Sequence, residues 1–249
     1  MVLCVSAYYK IPSKQSHEIY VGYLRRFFTF FKDKQLLFFC TKDTYREFVE
    51  LGFNTASVEF IFCEFNDLPL LKVFPYDFWL EQKKIDPELY HTPELGIIWA
   101  SKKNFLLEAK NLYPETDWLI WIDAGCVRTD AWLEHAADFT HRFHLSPGIY
   151  FQNLKPIRNE QFFRYKKNDY FIAGGLILAH ADYIEEYSQV YDTMLEMYNK
   201  YKIPAIMDQF IMSSLITTDK YDWIHIINYY DITFRSPCPE EWFFFLQYL

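Results

Sequence analysis

Asp117-Trp118-Leu119-Ile120-Trp121-Ile122-Asp123-Ala124-Gly125 is a short apolar run that starts from one acid and ends on another acid followed by a glycine. Five consecutive apolar residues between turn-forming neighbours read as a strand buried on both faces. In open α/β sheets, ligands sit beyond the carboxyl ends of the strands, so Asp123 is aimed at the ligand crevice. Gly125 allows a sharp turn and a close backbone approach. The alternative is that Asp123 only caps the turn that follows.

Upstream, residues 92–113 read as one helix. Thr92 is its N-cap, Pro93 its first residue, and Pro114 closes it. Leu95, Ile98, Trp99, Phe105, Leu106, Ala109 and Leu112 recur at helical spacing. Lys102 interrupts this apolar face. A cation there is costly unless it meets an anion or snorkels to water. Lys103 points off that face and is the weaker candidate. Further upstream, strands over 2–9, 36–40 and 57–63 alternate with helices over 17–31 and 41–52, which predicts a parallel sheet with helical crossovers. Residues 64–92 read as irregular.

Downstream the pattern changes. Helices are expected over 130–142, 183–201 and 207–215, and strands over 148–152, 170–178, 223–228 and 232–234. Strand 170–178 contains Gly174-Gly175, which marks either a close approach by a ligand or a β-bulge. Asp208-Gln209 opens the short helix, where the acid either serves a ligand or caps the helix. No linker or repeat divides the chain. It reads as one α/β domain over 1–249, with a nucleotide-binding half (1–125) and an acceptor half (126–249).

Composition narrows the function classes. The chain has 249 residues and a net charge of −8, with no basic cluster, so nucleic acid is not an expected partner. Aromatic residues make up 21% of the chain. Most are expected in the core, although such rings also floor sugar sites. The five cysteines are odd in number and lack CxxC spacing. They read as thiols of a reducing compartment, and a cytoplasmic location is expected. No signal peptide is recognised, and no uncharged apolar run reaches the ~18 residues of a transmembrane helix. The aromatic tail Trp242-Phe243-Phe244-Phe245-Leu246 reads as a docked segment, with peripheral membrane contact as the alternative. GxGxxG is absent, which argues against a dinucleotide oxidoreductase.

The strand ending in an acid midway along an α/β chain resembles the GT-A glycosyltransferases. The Trp121-Ile122-Asp123-Ala124-Gly125 core is most similar to the HtrL/YibB type of bacterial protein, and more distantly to galactosyltransferase and glycogenin-type families. The resemblance implies a GT-A fold with a mixed, mostly parallel sheet flanked by helices. It also implies transfer of a sugar from a UDP- or GDP-sugar donor to a glycan or other hydroxyl acceptor. By the same resemblance, Lys102 reaches the donor phosphates, and Asp123, Ala124 and Gly125 lie along the donor. Gly174 and Gly175 flank the transferred sugar, Tyr8 stacks on the base, and Thr41 is a further donor contact. Asp208 and Gln209 lie near the anomeric carbon as catalytic residues. GT-A enzymes hold Mn²⁺ or Mg²⁺ with paired acids, but the second acid is replaced here by Gly125. His225 is the late histidine that the resemblance offers as a second metal ligand. A metal-free site relying on Lys102 and Arg128 is the competing expectation. Two rival functions remain open: a nucleotidyltransferase, and a nucleotide-sugar-binding module without turnover.

Overall fold

In the computed structural model, which describes residues 2–135, 145–164, 170–218, 221–232 and 238–248, Val2–Ala7 forms strand β1. Helix α1 (His17–Phe30) returns the chain to β2 (Leu36–Cys40), and α2 (Lys42–Glu50) to β3 (Val58–Phe62). Two helices, α3 (Leu70–Val73) and α4 (Tyr76–Ile85), occupy the stretch expected to be irregular. Pro75 at the N-cap starts α4, and buried Trp79, whose indole N–H donates to the Phe74 carbonyl, anchors it.

The helix expected over 92–113 is two helices, α5 (Pro93–Ala100) and α6 (Lys102–Leu112). The Ser101 carbonyl accepts both Asn104 N–H at 2.9 Å and Phe105 N–H at 3.0 Å, a tightened turn that re-aims the chain. β4 (Trp118–Ile122), β5 (Ile149–Asn153), β6 (Ile172–His180), α7 (Ile184–Lys200), α8 (Asp208–Thr217), β7 (Ile224–Asn228) and α9 (Phe245–Tyr248) follow. The helix expected over 130–142 begins as a 3₁₀ turn over Asp130–His135, and its remainder lies outside the described residues. Most of the strand expected over 232–234 also lies outside them.

The sheet runs β3-β2-β1-β4-β6-β5-β7. β6 is antiparallel to both neighbours, and the other pairings are parallel. This matches the mixed, mostly parallel sheet that the GT-A resemblance implies. Alternate residues feed two cores, as the two-residue strand period requires. Leu3, Val5, Leu119 and Trp121 face α6, α7 and α8. Cys4, Phe38, Ile120 and Ile122 face α1 and α2. The aromatic surplus fills both cores, in rings such as Trp79, Phe105 and Tyr187 in the first and Phe27, Phe28, Phe38 and Phe48 in the second.

The tail is docked. Phe243, Phe244, Phe245 and Leu246 are all buried, so these side chains are not available to a membrane surface. Among the described residues, no helix is long and apolar enough to cross a membrane. Cys4, Cys40, Cys63, Cys126 and Cys238 are all free thiols, and burial raises the pKa of Cys4 to about 12.

Candidate active site

β1 and β4 lie side by side, and the chain leaves them toward opposite edges of the sheet. Their carboxyl ends therefore flank the crevice where an α/β sheet takes its ligand. A cavity of about 120 Å³ opens there, lined by Ala7, Tyr8 and Tyr9 from the end of β1 and by Asp123, Ala124 and Gly125 from the end of β4. A larger one of about 530 Å³ shares Asp123 and Arg128 with it and continues past Lys102, Gly174, Gly175, Asp208 and Gln209. Together they form one cleft of the size that small-ligand sites occupy.

The centre of the cleft is a charge cluster. Lys102 Nζ donates to the Gly174 carbonyl at 2.7 Å and to Asp208 Oδ2 at 2.7 Å, and lies 3.0 Å from Asp123 Oδ1. Its side chain is 3% exposed, that of Asp208 4% and that of Asp123 31%. Burial works against the ammonium, but Asp123 and Asp208 outweigh it and hold its pKa above the ordinary lysine value. Burial also pushes the Asp208 carboxyl above the usual aspartate range, even with Lys102 beside it. Trp121 Nε1 donates to Asp123 Oδ1 at 2.8 Å. Asp123 is thus the acid open to the cleft, and Asp208 is the acid behind it.

The bulge reading of Gly174-Gly175 is realised. The β5–β6 register slips so that Phe151 faces Ile177 while Gln152 faces Ala173, leaving these glycines in a bulge. The bulge turns the Gly174 carbonyl to Lys102 and the Gly175 carbonyl to the Asp123 N–H, 2.8 Å away. A Cβ on Gly174 would sit 2.8 Å from Asp208 Oδ2. One on Gly175 would sit 2.4 Å from the Phe243 ring. Glycine is required at both positions, once by the carboxylate and once by the docked tail.

Other expectations fare differently. Lys102, expected to reach the donor phosphates, here meets three protein acceptors and bridges two acids. Tyr8 lines the cleft, but its hydroxyl is paired with His17 Nδ1 at 2.7 Å and its ring packs among Tyr20 and Phe48. Thr41 accepts from Thr44 N–H as the cap of α2, and it lines neither cavity. His225 is not brought to Asp123. It pairs with Tyr150 on the edge strand β7, three strands from β4, or roughly 14 Å at ~4.8 Å per strand. Its ring lies tilted against that of Tyr150 on the α1/α2 face, whereas Asp123 follows Trp121 on the other. Among the described residues, no group of three or more His, Cys, Asp or Glu is arranged to hold a metal ion.

The structure gives weight to Lys103, the weaker candidate, and to Arg128, expected only in a metal-free site, and it adds Trp121, which the sequence reading missed. Lys103 is as buried as Lys102, paired with Asp192 at 2.9 Å, and burial lowers its pKa. Arg128 lines both cavities. Trp121 shares a strand face with Asp123, and two-residue alternation carries that signal. Lys103 carries no such signal, because its partner lies on α7.

No protein-family model and no curated protein matches the sequence. Solved structures do. Mouse xyloside xylosyltransferase 1, in its apo form, matches with a TM-score of 0.50 and 12% identity, over 91% of this chain and 85% of that one. The fold is GT-A. A glycosyltransferase involved in glycosylating the major capsid of PBCV-1 is also similar, with a TM-score of 0.41 and 11% identity over 92% of this chain and 82% of that one. In this GT-A frame the cleft lies at the carboxyl ends of β1 and β4, with the β6 bulge and the start of α8 as its far wall.

Proposed function

We propose that the chain transfers a glycosyl group from a UDP- or GDP-sugar to a hydroxyl of a glycan acceptor. One observation carries the reading. Asp123, the Gly174-Gly175 bulge and Asp208-Gln209, which lie far apart in sequence, line one cleft at the ligand end of a GT-A sheet. The HtrL/YibB resemblance supports the same reading, and the free thiols fit a cytoplasmic setting.

The residues divide the work as follows. The smaller lobe, walled by Tyr8 and Tyr9, takes the nucleoside, and the larger lobe takes the sugar and the acceptor. Asp123 Oδ1 is held by Trp121 and Lys102, which leaves Oδ2 unpaired among the described residues and able to accept a hydroxyl. Gln209 lines the cleft at the start of α8 and presents its amide to the sugar. Buried Asp208 fixes Lys102, so its effect on the reacting carbon is electrostatic. Loss of the diphosphate leaving group is the costly step, and cations at the cleft lower that barrier.

A second reading has one observation in its favour: Lys102 engages both acids, as in a module that binds the donor without turnover. Titration of UDP, GDP and their sugars, followed by a donor-hydrolysis assay, separates the two. Binding with turnover supports transfer, and binding without it supports the module. Asp123→Asn is expected to abolish turnover while leaving the fold intact, with a lower melting temperature because it removes one of the two charges that hold buried Lys102. If that variant retains turnover, Asp123 does not have the assigned role.

A further inference from the structure

The fold family implies a divalent ion, and the residues here do not fit one. Mg²⁺ and Mn²⁺ require about six hard ligands, usually anchored by one or two carboxylates. Asp123 offers one oxygen that is unpaired among the described residues. Gly125 stands where the second acid would be, and a Cβ added there already meets the Tyr20 ring at 3.1 Å. Among the described residues, the other carboxylate that shares a partner with Asp123 in the cleft is Asp208, and an ammonium already fills the space between them. Lys102 Nζ lies 3.0 Å from Asp123 and 2.7 Å from Asp208, with the Gly174 carbonyl as a third acceptor at 2.7 Å. Three acceptors match the three protons of a lysine. A divalent ion on the same oxygens would face a fixed positive charge.

We propose that Lys102 is the resident cation of this site, that the cleft takes its nucleotide diphosphate without a divalent ion, and that Arg128 meets the diphosphate charge. The Arg128 part rests on the sugar-nucleotide reading above; the Lys102 part does not. Arg128 lies five residues beyond Asp123 and lines both lobes of the cleft. Its side chain is 45% exposed. It is held in place, with Nε donating to the Gly125 carbonyl, Nη1 paired with Glu240 at 2.7 Å, and its plane over the Phe243 ring at 4.9 Å. These contacts leave Nη2 unpaired among the described residues. A guanidinium fixed in this way presents a planar fork suited to phosphate oxygens. Incoming diphosphate would compete with Glu240 for it.

The test uses the full chain and two probes, Mn²⁺ alone and UDP or GDP. In the wild type, electron paramagnetic resonance of Mn²⁺ is expected to show no site that Asp123→Asn removes. Nucleotide affinity is expected to differ by less than about twofold between EDTA and excess Mn²⁺. Arg128→Gln is expected to weaken nucleotide diphosphate binding by about tenfold or more, while leaving uridine or guanosine binding within about twofold. Lys102→Met vacates the space between the acids, and this variant is expected to gain a Mn²⁺ site that the wild type lacks. The wild-type arms decide the question even if that variant fails to fold. A wild-type Mn²⁺ site lost in Asp123→Asn, or nucleotide binding that requires Mn²⁺, overturns the resident-cation proposal. Equal weakening of nucleoside and diphosphate by Arg128→Gln overturns its assigned part. If neither nucleotide binds under any condition, the sugar-nucleotide reading and the Arg128 part fail together, while the Mn²⁺ titration still decides the role of Lys102.

Discussion

Lys102 and Asp208 hold each other in a place where neither charge would survive alone. Removing one partner of a buried pair typically costs about 3–5 kcal/mol, because the other charge is left uncompensated. The sign of the pH effect follows from Asp208. Burial already lifts its pKa above the unfolded value, and Lys102 opposes that lift. Without the lysine the folded pKa rises further. A carboxyl with a raised folded pKa gives its full stability below the unfolded pKa and loses it as pH climbs toward the folded one. The Lys102→Met variant should therefore lie closest to wild type in acid and fall away as pH rises. Urea unfolding at several pH values from about 4 to 8 would show this, and a deficit constant across that range would refute it. The wild-type lysine behaves in the opposite sense at the alkaline end. Its raised pKa gives stability that is complete below about 10.5 and lost as pH rises through the folded value. At this scale the sequence was legible where local pattern carries the signal. Lys102 breaks an apolar face, and Asp123 ends a strand. Lys103 was not legible, because Asp192 and Ser188, which justify its burial, lie on α7.

Elements place these residues, and the least expected of them is α4. Its pattern is obscured by Pro69, Pro75 and scattered aromatics, yet Gln82 on it accepts the Ala205 N–H at 2.9 Å and donates to Asn199 at 3.0 Å. Those two bonds tie α4 to the end of α7 and to the segment that leads into α8, and so to Asp208. The docked tail is a second positioning device. Phe243 packs on Gly175 in the β6 bulge and beneath Arg128, linking the bulge to the rim of the cleft. Gly175→Ala would put a methyl group 2.4 Å from that ring, a distance that forces the tail or the bulge to move. The expected loss is about 1–3 kcal/mol, typical of overpacking. In a Phe243→Ala background the same change should cost less, because the opposing ring is gone. A double-mutant cycle read by thermal melts checks this. Additive losses would mean that the ring and the bulge are not coupled as their contact implies. The bulge was half legible: two glycines announced an irregularity, but the register slip depends on β5, which no local pattern reveals.

The whole molecule joins its two halves through a single sheet. The boundary near residue 125 is legible as a change of rhythm, from strand–helix alternation to a mixed order. It is not a structural seam. β4 belongs to the first half by sequence, yet its outer edge pairs with β6 of the second from Trp118↔His180 to Ile122↔Leu176. The first core, on the α6 face, also mixes the halves, with Leu119 and Trp121 packed in one cluster with Ile177, Tyr187 and Leu195. A fragment ending at residue 125 would expose the β4 edge, lose the apolar cover of that face and leave Lys102 without Asp208. Edge pairing and apolar burial are what an isolated sheet can least spare. Residues 1–125 expressed alone should therefore show no cooperative melt, whereas the full chain should lose far-UV circular dichroism and tryptophan fluorescence in one coincident transition. A fragment that melts cooperatively by itself would mean that the first half is an independent domain. The cleft, built from both halves, would then owe its geometry to domain docking, not to the continuous sheet.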